Sequence, residues 1–370
     1  MAEYKLPDLR GQKEAITNPD IMLRNLKKPF EPKISVGIWY FTPGGGRFHD
    51  RYVAEQTAEQ RIERAYGLAR YGVTGIEAHY PNEINEGNAG KYLKLEKEAG
   101  IRVVGIPFQH FFPKIFEFGS MGSQVEEARE EAKRIAVGTL NMVKQVGADG
   151  AVSWPGKDGY LYLLGTPFGK MWQNYDKTLA SAMDEVPGVR VNIEPKGYEP
   201  APNNIFRTTA EGILAAQRVE SLLKDPENKR LLQEGHALVG LNPEIGHVKM
   251  SFEILPATYA LCMMYDRLGH THWNSQPDGN YDQDNNVGVI NWSESEALMW
   301  QLWAGGYKGY FGIDINPENM SVEKAIELNV AAIRKMRDRV AKLPHEQLIE
   351  AHLNPRENRG KIEQIVIDSM

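Results

Sequence analysis

The sequence predicts an α/β fold in which eight parallel strands alternate with helices and close into one (β/α)8 TIM barrel. Short β-branched runs alternate with longer amphipathic segments over most of the 370 residues, as expected for βαβ units. No linker rich in Pro, Gly or Ser divides these runs into halves, which favours one barrel over two domains. Polar residues recur where the runs end, which is where a barrel assembles its active site.

The predicted strands are short and bounded by polar or turn-forming residues. They lie at 34–40, 73–79, 102–107, 150–154, 189–194, 237–244, 269–273 and 310–314. Helical periodicity separates them, for example at 54–70, 125–146, 209–224, 293–304 and 322–340. We therefore expect a barrel at 34–340, an N-terminal extension at 1–33 and a C-terminal tail at 341–370. The tail is polar without a clear period, so we expect it to be irregular and to lie on the surface or against a neighbour.

Composition excludes several classes of protein. The chain is 42% hydrophobic and 25% charged, which is ordinary for a soluble globular protein. A net charge of −6 without a Lys/Arg stripe argues against nucleic acid as a partner. No stretch of about 18 apolar residues predicts a membrane span, and the first thirty residues lack a secretory signal, so the cytoplasm is expected. The one cysteine, Cys262, lies in an apolar run and is interpreted as core packing.

Side chains suited to catalysis or metal binding stand at the ends of the predicted strands. They are Trp39, His79, Trp154, Glu194, Glu244, His272 and Asp314. The carboxyl ends of barrel strands converge on one mouth, so these side chains should meet there. Buried carboxylates are costly unless they are paired or bind a metal. Several carboxylates aimed at one point therefore predict a cation.

Two motifs place an acid beside a basic residue. Glu194 and Lys196 are two residues apart at a strand end and share a face, so both can address one ligand; the alternative is a surface ion pair. Glu244 and His247 are three residues apart just past a strand and can reach one divalent metal if a helix begins there. The alternative for this second pair is two solvated polar residues.

Two further motifs supply carboxylates alone. Asp282 and Asp284 lie two apart in a loop and offer the oxygen ligands that hard cations prefer, although such a loop is also typical of a turn. Asp314 ends an apolar strand, where it could bind a metal or cap the next helix. Of the alternating His270 and His272, one is expected to face the barrel interior.

Taken in order and spacing, these motifs resemble the xylose isomerase family over about residues 34–340. That family carries Glu-Pro-Lys, Glu-x-x-His, Asp-x-Asp and Phe-Asp segments, matched here by the motifs described above. The strand 73–79, the Gly37-Ile-Trp39 start and the segment 153–160 (Ser-Trp-Pro-Gly-Lys-Asp-Gly-Tyr) match further family patterns. The resemblance implies a metal-dependent aldose–ketose isomerase, an intramolecular oxidoreductase that shifts hydride within a free sugar.

The resemblance also implies two divalent cations, Mg²⁺, Mn²⁺ or Co²⁺, at the mouth. The first would be held by Glu194, Glu244, His272 and Asp314. The second would be held by Glu244 as a bridge, His247, Asp282 and Asp284. A small-molecule sugar is the implied partner, and the enzyme is expected to be a homodimer or homotetramer.

Catalytic and substrate-binding roles follow from the same resemblance. Lys196 would donate to the substrate carbonyl oxygen, and His79 would assist ring opening. The substrate would be contacted by Trp39, Trp154, Asn82 and Glu199. His110, which follows the third predicted strand, is a further candidate for substrate contact, and packing within the loop is the alternative for it. The two tryptophans would form apolar walls, and the glycine-rich segment 42–48 is interpreted as a loop over the mouth.

The chain departs from the family at two positions. His272-Trp-Asn274 stands where the family has Asp-Ala-Asn, and a histidine there resembles L-rhamnose isomerase, a relative with the same barrel. Asn82 stands where the family has an aspartate three residues after the histidine. The charge that would orient His79 is therefore expected to be missing.

Other functions on the same barrel are a sugar epimerase and a keto-glycoside lyase of the C-glycoside deglycosidase type. Such enzymes use one metal with flanking carboxylate or histidine bases. The complete second ligand set beside Lys196 argues against them. A sugar-binding barrel without catalysis is a further alternative, and the presence of every candidate ligand argues against it.

Overall fold

The computed structural model describes residues 4–42 and 53–369, and its centre is a barrel of eight parallel strands. The strands are β1 (Lys33–Gly37), β2 (Val73–Glu77), β3 (Arg102–Pro107), β4 (Gly150–Ser153), β5 (Val191–Ile193), β6 (Val239–Leu241), β7 (His272–Trp273) and β8 (Tyr310–Ile313). Each predicted strand overlaps one of these, and the prediction for β3 matches its bounds. The loop predicted at 42–48 lies, from residue 43 onward, outside the described residues.

The sheet closes on itself in the order of the chain. Each strand from β1 to β5 pairs in parallel with the next one, and β1 also pairs with β8, which pairs with β7. Parallel bridges from Leu241 to Leu268 and from Glu244 to His272 join the β6 and β7 segments and complete the ring. The predicted (β/α)8 barrel is thus confirmed.

Helices surround this ring. Along the described chain they are α1 (Gln12–Thr17), α2 (Pro19–Leu26), α3 (Ala58–Ala65), α4 (Ala89–Ala99), α5 (Glu126–Val146), α6 (Phe168–Glu185), α7 (Thr209–Leu222), α8 (Pro226–Gln233), α9 (Ile245–Met250), α10 (Leu255–Met264), α11 (Trp292–Ala304), α12 (Val322–Val340), α13 (His345–Leu353) and α14 (Lys361–Ser369). Short 3₁₀ turns occur at Trp39–Phe41, Tyr66–Tyr71 and Lys114–Phe116, and Gly159–Tyr160 pairs antiparallel with Asn203–Asn204.

Helix α5 shows why the periodic segments fold as predicted. Its residues Ala132, Ile135, Leu140 and Val143 recur at helical spacing and are all buried, so one stripe of the helix packs on the barrel. The helix ends at Gly147, whose φ of 70° is the left-handed conformation that glycine adopts without steric cost. A hydrophobic stripe and a stop signal together define this element.

The prediction of an irregular tail is wrong, because the tail folds into α13 and α14. Ile349, Ala351 and Ile365 are buried, and α13 packs against α2. The indole of Trp300 donates a hydrogen bond to His345 Nδ1 at 3.2 Å. Two helices of nine residues each carry too few apolar positions for a period to stand out in the sequence.

The N-terminal segment lies at the amino ends of the strands. Arg190, just before β5, donates from Nη1 to the Pro7 carbonyl at 2.5 Å and from Nε to the Ala237 carbonyl at 2.9 Å. Gln12 donates to the Leu268 carbonyl at 2.9 Å. These contacts leave the opposite, carboxyl end of the barrel as the open mouth. No helix in the described part of the chain is both long and apolar enough to cross a membrane.

Candidate metal centre and active site

A cavity of about 390 Å³ opens at the carboxyl end of the strands. Strands β1–β4 and the segments that follow them supply one side, here called the aromatic half: Trp39, His79, Glu83, Pro107, Gln109, Phe111, Phe112 and Trp154. Strands β5–β8 and the segments that follow them supply the other side, here called the acidic half: Glu194, Lys196, Glu244, His247, His272, Asp282, Asp284 and Asp314. Because strand order follows chain order, the two halves face each other across the mouth.

A first donor group forms around His272. Its Nδ1 lies 3.2 Å from Glu194 Oε2 and 3.3 Å from Asp314 Oδ2, and donor atoms of Glu244, His272 and Asp314 lie within 4.8 Å of one another. The indole nitrogen of Trp39 donates to Asp314 Oδ1 at 2.9 Å, so Trp39 does more than form an apolar wall. Burial and the nearby carboxylates of Glu244 and Glu194 raise the pKa of Asp314 to about 8.

The orientation of His272 is set by Glu77, which the sequence patterns do not reveal. Glu77 Oε2 lies 3.0 Å from His272 Nε2, while Oε1 lies 3.0 Å from His270 Nε2 and accepts from the Ser35 hydroxyl at 2.7 Å. Burial opposes ionisation of Glu77, but the two imidazoles hold its pKa well below the usual range. Gly312 leaves room for the Glu77 carboxylate, since a Cβ added at this position would lie only 2.7 Å from Glu77 Oε1 and would clash with it.

Both histidines of the His-x-His pair therefore contact one buried carboxylate inside the barrel, rather than only one of them facing inward. The contact with Glu77 occupies Nε2 of His272 and leaves Nδ1 directed at the donor group. Such a hydrogen bond from a carboxylate to the far nitrogen is how proteins fix the tautomer of a metal-binding histidine. Glu77 and His79 are two apart in the predicted strand 73–79, and this shared face is the signal that could have indicated an inward carboxylate.

A second donor group shares Glu244 with the first. His247 Nε2 lies 3.3 Å from Glu244 Oε1 and 3.4 Å from Asp282 Oδ2, and donor atoms of Glu244, Asp282 and Asp284 lie within 4.8 Å of one another. The amide of Asn274 donates to Glu244 Oε1 at 2.8 Å and to Asp284 Oδ1 at 3.1 Å. Burial and three neighbouring carboxylates raise the pKa of Asp284 well above its usual range.

The donor atoms fit divalent cations. Among the described residues, His247 Nδ1 and Asp282 Oδ1 are buried side-chain atoms without a hydrogen-bond partner, and both belong to the second donor group. Five carboxylates converge in the acidic half and repel one another, as the raised pKa of Asp314 indicates. Carboxylate oxygens with imidazole nitrogens suit Mg²⁺, Mn²⁺ or Co²⁺. The alternative that Asp314 caps the next helix does not hold, because the Ser321 side chain caps α12.

Lys196 projects into this acidic half. Its side chain is 4% exposed, and its Nζ lies 2.5 Å from Asp282 Oδ2 and 5.1 Å from the ring of Trp154. Burial opposes the ammonium charge, but Asp282, Asp284 and Glu244 outweigh burial and raise the pKa of Lys196. The alternative of a surface ion pair between Glu194 and Lys196 is therefore wrong.

His79 does have a charged partner, so the expectation drawn from Asn82 is wrong. Glu83 Oε2 lies 3.0 Å from His79 Nδ1 and accepts from the His79 backbone N–H at 2.8 Å, while Glu83 Oε1 accepts from Arg61 Nη1 at 2.8 Å. The turn after β2, in which the Glu83 N–H donates to the His79 carbonyl, brings Glu83 back to the imidazole. Asn82 is exposed and does not line the cavity.

Two other expected substrate contacts do not line the cavity. His110 is buried, with Nε2 3.0 Å from the Trp154 carbonyl, and burial lowers its pKa to about 4. Its neighbours Gln109 and Phe111 line the cavity instead, because alternate residues point to opposite sides of the extended chain. Glu199 Oε2 accepts from the Asp282 backbone N–H at 2.8 Å, so it supports the loop that carries Asp282 and Asp284.

Comparison with known proteins assigns this chain to a protein family. The family described as "Xylose isomerase-like TIM barrel" matches residues 66–336, well over half of the chain. The chain belongs to this family. The xylose isomerase of Thermus thermophilus is 26% identical over 300 residues, which cover 76% of this chain and 72% of that protein.

Solved structures of two epimerases share the fold of this xylose isomerase-like barrel. The 3-keto-D-glucoside 4-epimerase of E. coli has a TM-score of 0.55 and 16% identity, covering 83% of this chain and 100% of that chain. A D-psicose 3-epimerase has a TM-score of 0.59 and 14% identity, covering 84% and 99%. At such identities the likeness extends to the fold alone, so the residues of the site must decide between isomerase and epimerase.

Proposed function

We propose that this member of the xylose isomerase-like family is a metal-dependent aldose–ketose isomerase acting on a free sugar. The second donor group, with Lys196 beside it, is the observation that carries this proposal. One cation would be held by Glu194, Glu244, His272 and Asp314, and the other by Glu244, His247, Asp282 and Asp284. When bound, the cations supply Lewis-acid polarisation of two adjacent oxygens of an open-chain sugar.

Lys196 would stabilise the charge that develops on the substrate carbonyl oxygen. Its buried ammonium is held at the acidic half by Asp282 and needs no reorganisation to donate a hydrogen bond. Trp39, Phe111 and Trp154 lie along the facing wall, with Phe111 4.7 Å from Trp154 between ring centroids. This wall would exclude water while charge is displaced within the sugar.

His79 would handle the proton of the sugar ring. Glu83 engages Nδ1, so Nε2 is the nitrogen left for a ring oxygen, and Arg61 holds Glu83 from the other side. Burial opposes ionisation of Glu83, but His79 and Arg61 lower its pKa, which keeps a carboxylate behind the imidazole. A proton could then be taken up and returned at Nε2 as the ring opens.

The five carboxylates of the cavity's acidic half all belong to the two donor groups, which leaves none of them as a free base. This supports direct transfer of hydrogen between C2 and C1 rather than removal as a proton. Epimerisation next to a carbonyl instead requires a proton to leave one face and return to the other. The two routes differ in whether solvent hydrogen enters the product.

The test is a screen of aldoses and ketoses with Mg²⁺, Mn²⁺ or Co²⁺ in heavy water. We expect a ketose whose C1 is almost free of deuterium. Deuterium at C1 would contradict the direct transfer while retaining the isomerase. A product epimeric at one carbon and labelled there would instead establish an epimerase, and cleavage of a keto-glycoside would establish a lyase.

A further inference from the structure

One polar group of the cavity remains unexplained by the metal donors. Among the described residues that line it, three have a buried side-chain atom without a hydrogen-bond partner: Gln109 Nε2, His247 Nδ1 and Asp282 Oδ1. Two of these belong to the second donor group. Gln109 lies on the aromatic half, where no metal is expected. A buried polar atom without a partner costs free energy, which is recovered when a ligand provides one.

The position of Gln109 is fixed by its backbone. Its N–H donates to the Tyr80 carbonyl at 3.0 Å, and the residue as a whole is 4% exposed. Phe108 and His110 on either side of it are fully buried and anchor the chain. The side-chain amide is therefore held at the cavity wall, rather than free to turn into solvent.

Strand order places Gln109 opposite His272 across the cavity. Gln109 follows β3, and His272 lies in β7, four strands away in a ring of eight, so the two stand on opposite sides of the mouth. A sugar whose carbonyl end meets the acidic half would extend its remaining carbons towards Gln109. Phe111 and Trp154 also line this side and offer apolar surface for the C–H faces of the sugar.

We propose that Gln109 recognises a hydroxyl group of the sugar chain remote from the carbonyl and thereby sets substrate specificity. This inference rests on the proposed function, since it assumes that the carbonyl end meets the metals. An amide both donates and accepts, so it suits a hydroxyl group better than a methyl or methylene group. A site built to hydrogen-bond a hydroxyl discriminates strongly against the analogue that lacks it. The substrate class is thus a sugar hydroxylated at that remote carbon.

The test compares Gln109→Met, which keeps the length of the side chain, with Gln109→Glu, which replaces the amide donor by an acceptor. Gln173→Met makes the same change at an exposed position of α6 and serves as the control. Binding of sugars to the metal-loaded protein is followed by tryptophan fluorescence, because Trp39 and Trp154 line the cavity. The panel contains aldoses and ketoses, together with the monodeoxy analogues of each sugar that binds wild-type protein. The kinetic constants kcat and KM are measured wherever turnover occurs.

In Gln109→Met we expect Kd and KM for the parent sugar to rise about tenfold or more, with kcat changed by less than about threefold. One deoxy analogue should bind Gln109→Met and wild type equally well, because its missing hydroxyl is the one recognised. Gln109→Glu should weaken binding of the parent sugar as well, and Gln173→Met should not.

Equal binding of the parent sugar by wild type and both Gln109 variants would overturn the inference. The inference is also overturned if Gln109→Met binds every deoxy analogue more weakly than wild type does, and by the same factor. It is overturned as well if the metal-loaded wild type binds no sugar of the panel. Failure of the proposed function would give a different result. Wild type would bind a sugar, and Gln109→Met would weaken that binding, but no ketose would form.

Discussion

Two buried glutamates, Glu77 and Glu83, mark the limit of what the sequence reveals about single residues. The proposed ligands can be identified from the sequence because most of them stand at strand ends, where a local pattern exposes them. Glu77 is the last residue of β2, but its partners Ser35 and His270 are 42 and 193 residues away in the chain. Glu83 reaches His79 only through the turn after β2. The Glu77 contacts join distant segments and leave no local pattern. Glu83 is only four residues from His79, but the sequence does not show that a turn brings the two side chains together.

Replacing Glu77 by Gln should weaken metal binding by about 10- to 100-fold, the range observed when a carboxylate that orients a ligand is lost. The physical reason is that His272 Nε2 loses the carboxylate 3.0 Å away that directs Nδ1 at the donor group. Competition with a fluorescent chelator measures the affinity. Ser35→Ala is the control, because it removes only a hydroxyl from the other oxygen of Glu77. Unchanged affinity in Glu77→Gln would show that His272 keeps its orientation without the carboxylate.

Replacing Lys196 by Met should slow conversion by roughly 10²-fold or more, the scale seen when one donor to a developing oxyanion is lost. Metal content should persist, because the donor atoms remain. Turnover and elemental analysis are measured together, with Lys170→Met at an exposed position of α6 as the control. Near-normal turnover in Lys196→Met would mean that the lysine only balances the charge of Asp282.

At the scale of elements, prediction succeeded where burial repeats with a period. Strands β1–β8 were found because β-branched runs are buried on both faces, and α5, α7 and α12 because their apolar stripes persist over several turns. Helices α13 and α14 were missed because each is only nine residues long. The loop between β7 and α11 has no period, and the backbone pair Ser275–Asn285 together with Glu199 gives it shape.

That loop makes a direct test of the second cation possible. The double variant Asp282→Asn/Asp284→Asn should lower metal content from about two ions per chain towards one and reduce turnover, with little effect on folding. Elemental analysis and circular dichroism give the two readouts. The control variant Asp278→Asn changes the same loop. Asp278 pairs with Lys249 at 2.8 Å, away from the donor groups, so this variant should retain both ions. Two ions in the double variant would contradict the assignment of this loop.

At the scale of the molecule, the acidic half concentrates five carboxylates at one end of the barrel. Lys196, His247 and His272 offset only part of that charge without metal. Cations that bind the folded chain alone therefore stabilise the whole barrel, and the free energy gained grows with the logarithm of their concentration. The proposed metal centre therefore predicts that folding and metal loading are linked.

Chelation should accordingly abolish activity and lower the melting temperature. At free metal about 100 times its Kd, each site contributes roughly 2.7 kcal/mol to the free energy of unfolding. Melts recorded over a range of metal concentrations, and again after metal is returned, measure this gain. The Asp282→Asn/Asp284→Asn variant should show about half of it if the two sites contribute equally. A melting curve indifferent to chelation, with full activity, would rule out the metal centre.

The strand order of the barrel also has a consequence for protein engineering. The aromatic half ends at Trp154 and the acidic half begins at Glu194, so a single crossover between these positions separates the two. Recombination there would exchange the N-terminal cassette, which is proposed to select the sugar, and leave the C-terminal cassette of metal ligands intact. Libraries built on this junction would vary which sugar is accepted and inherit the same proposed metal ligands, as long as each exchanged cassette keeps Glu77 behind His272 and His79 beside Glu83.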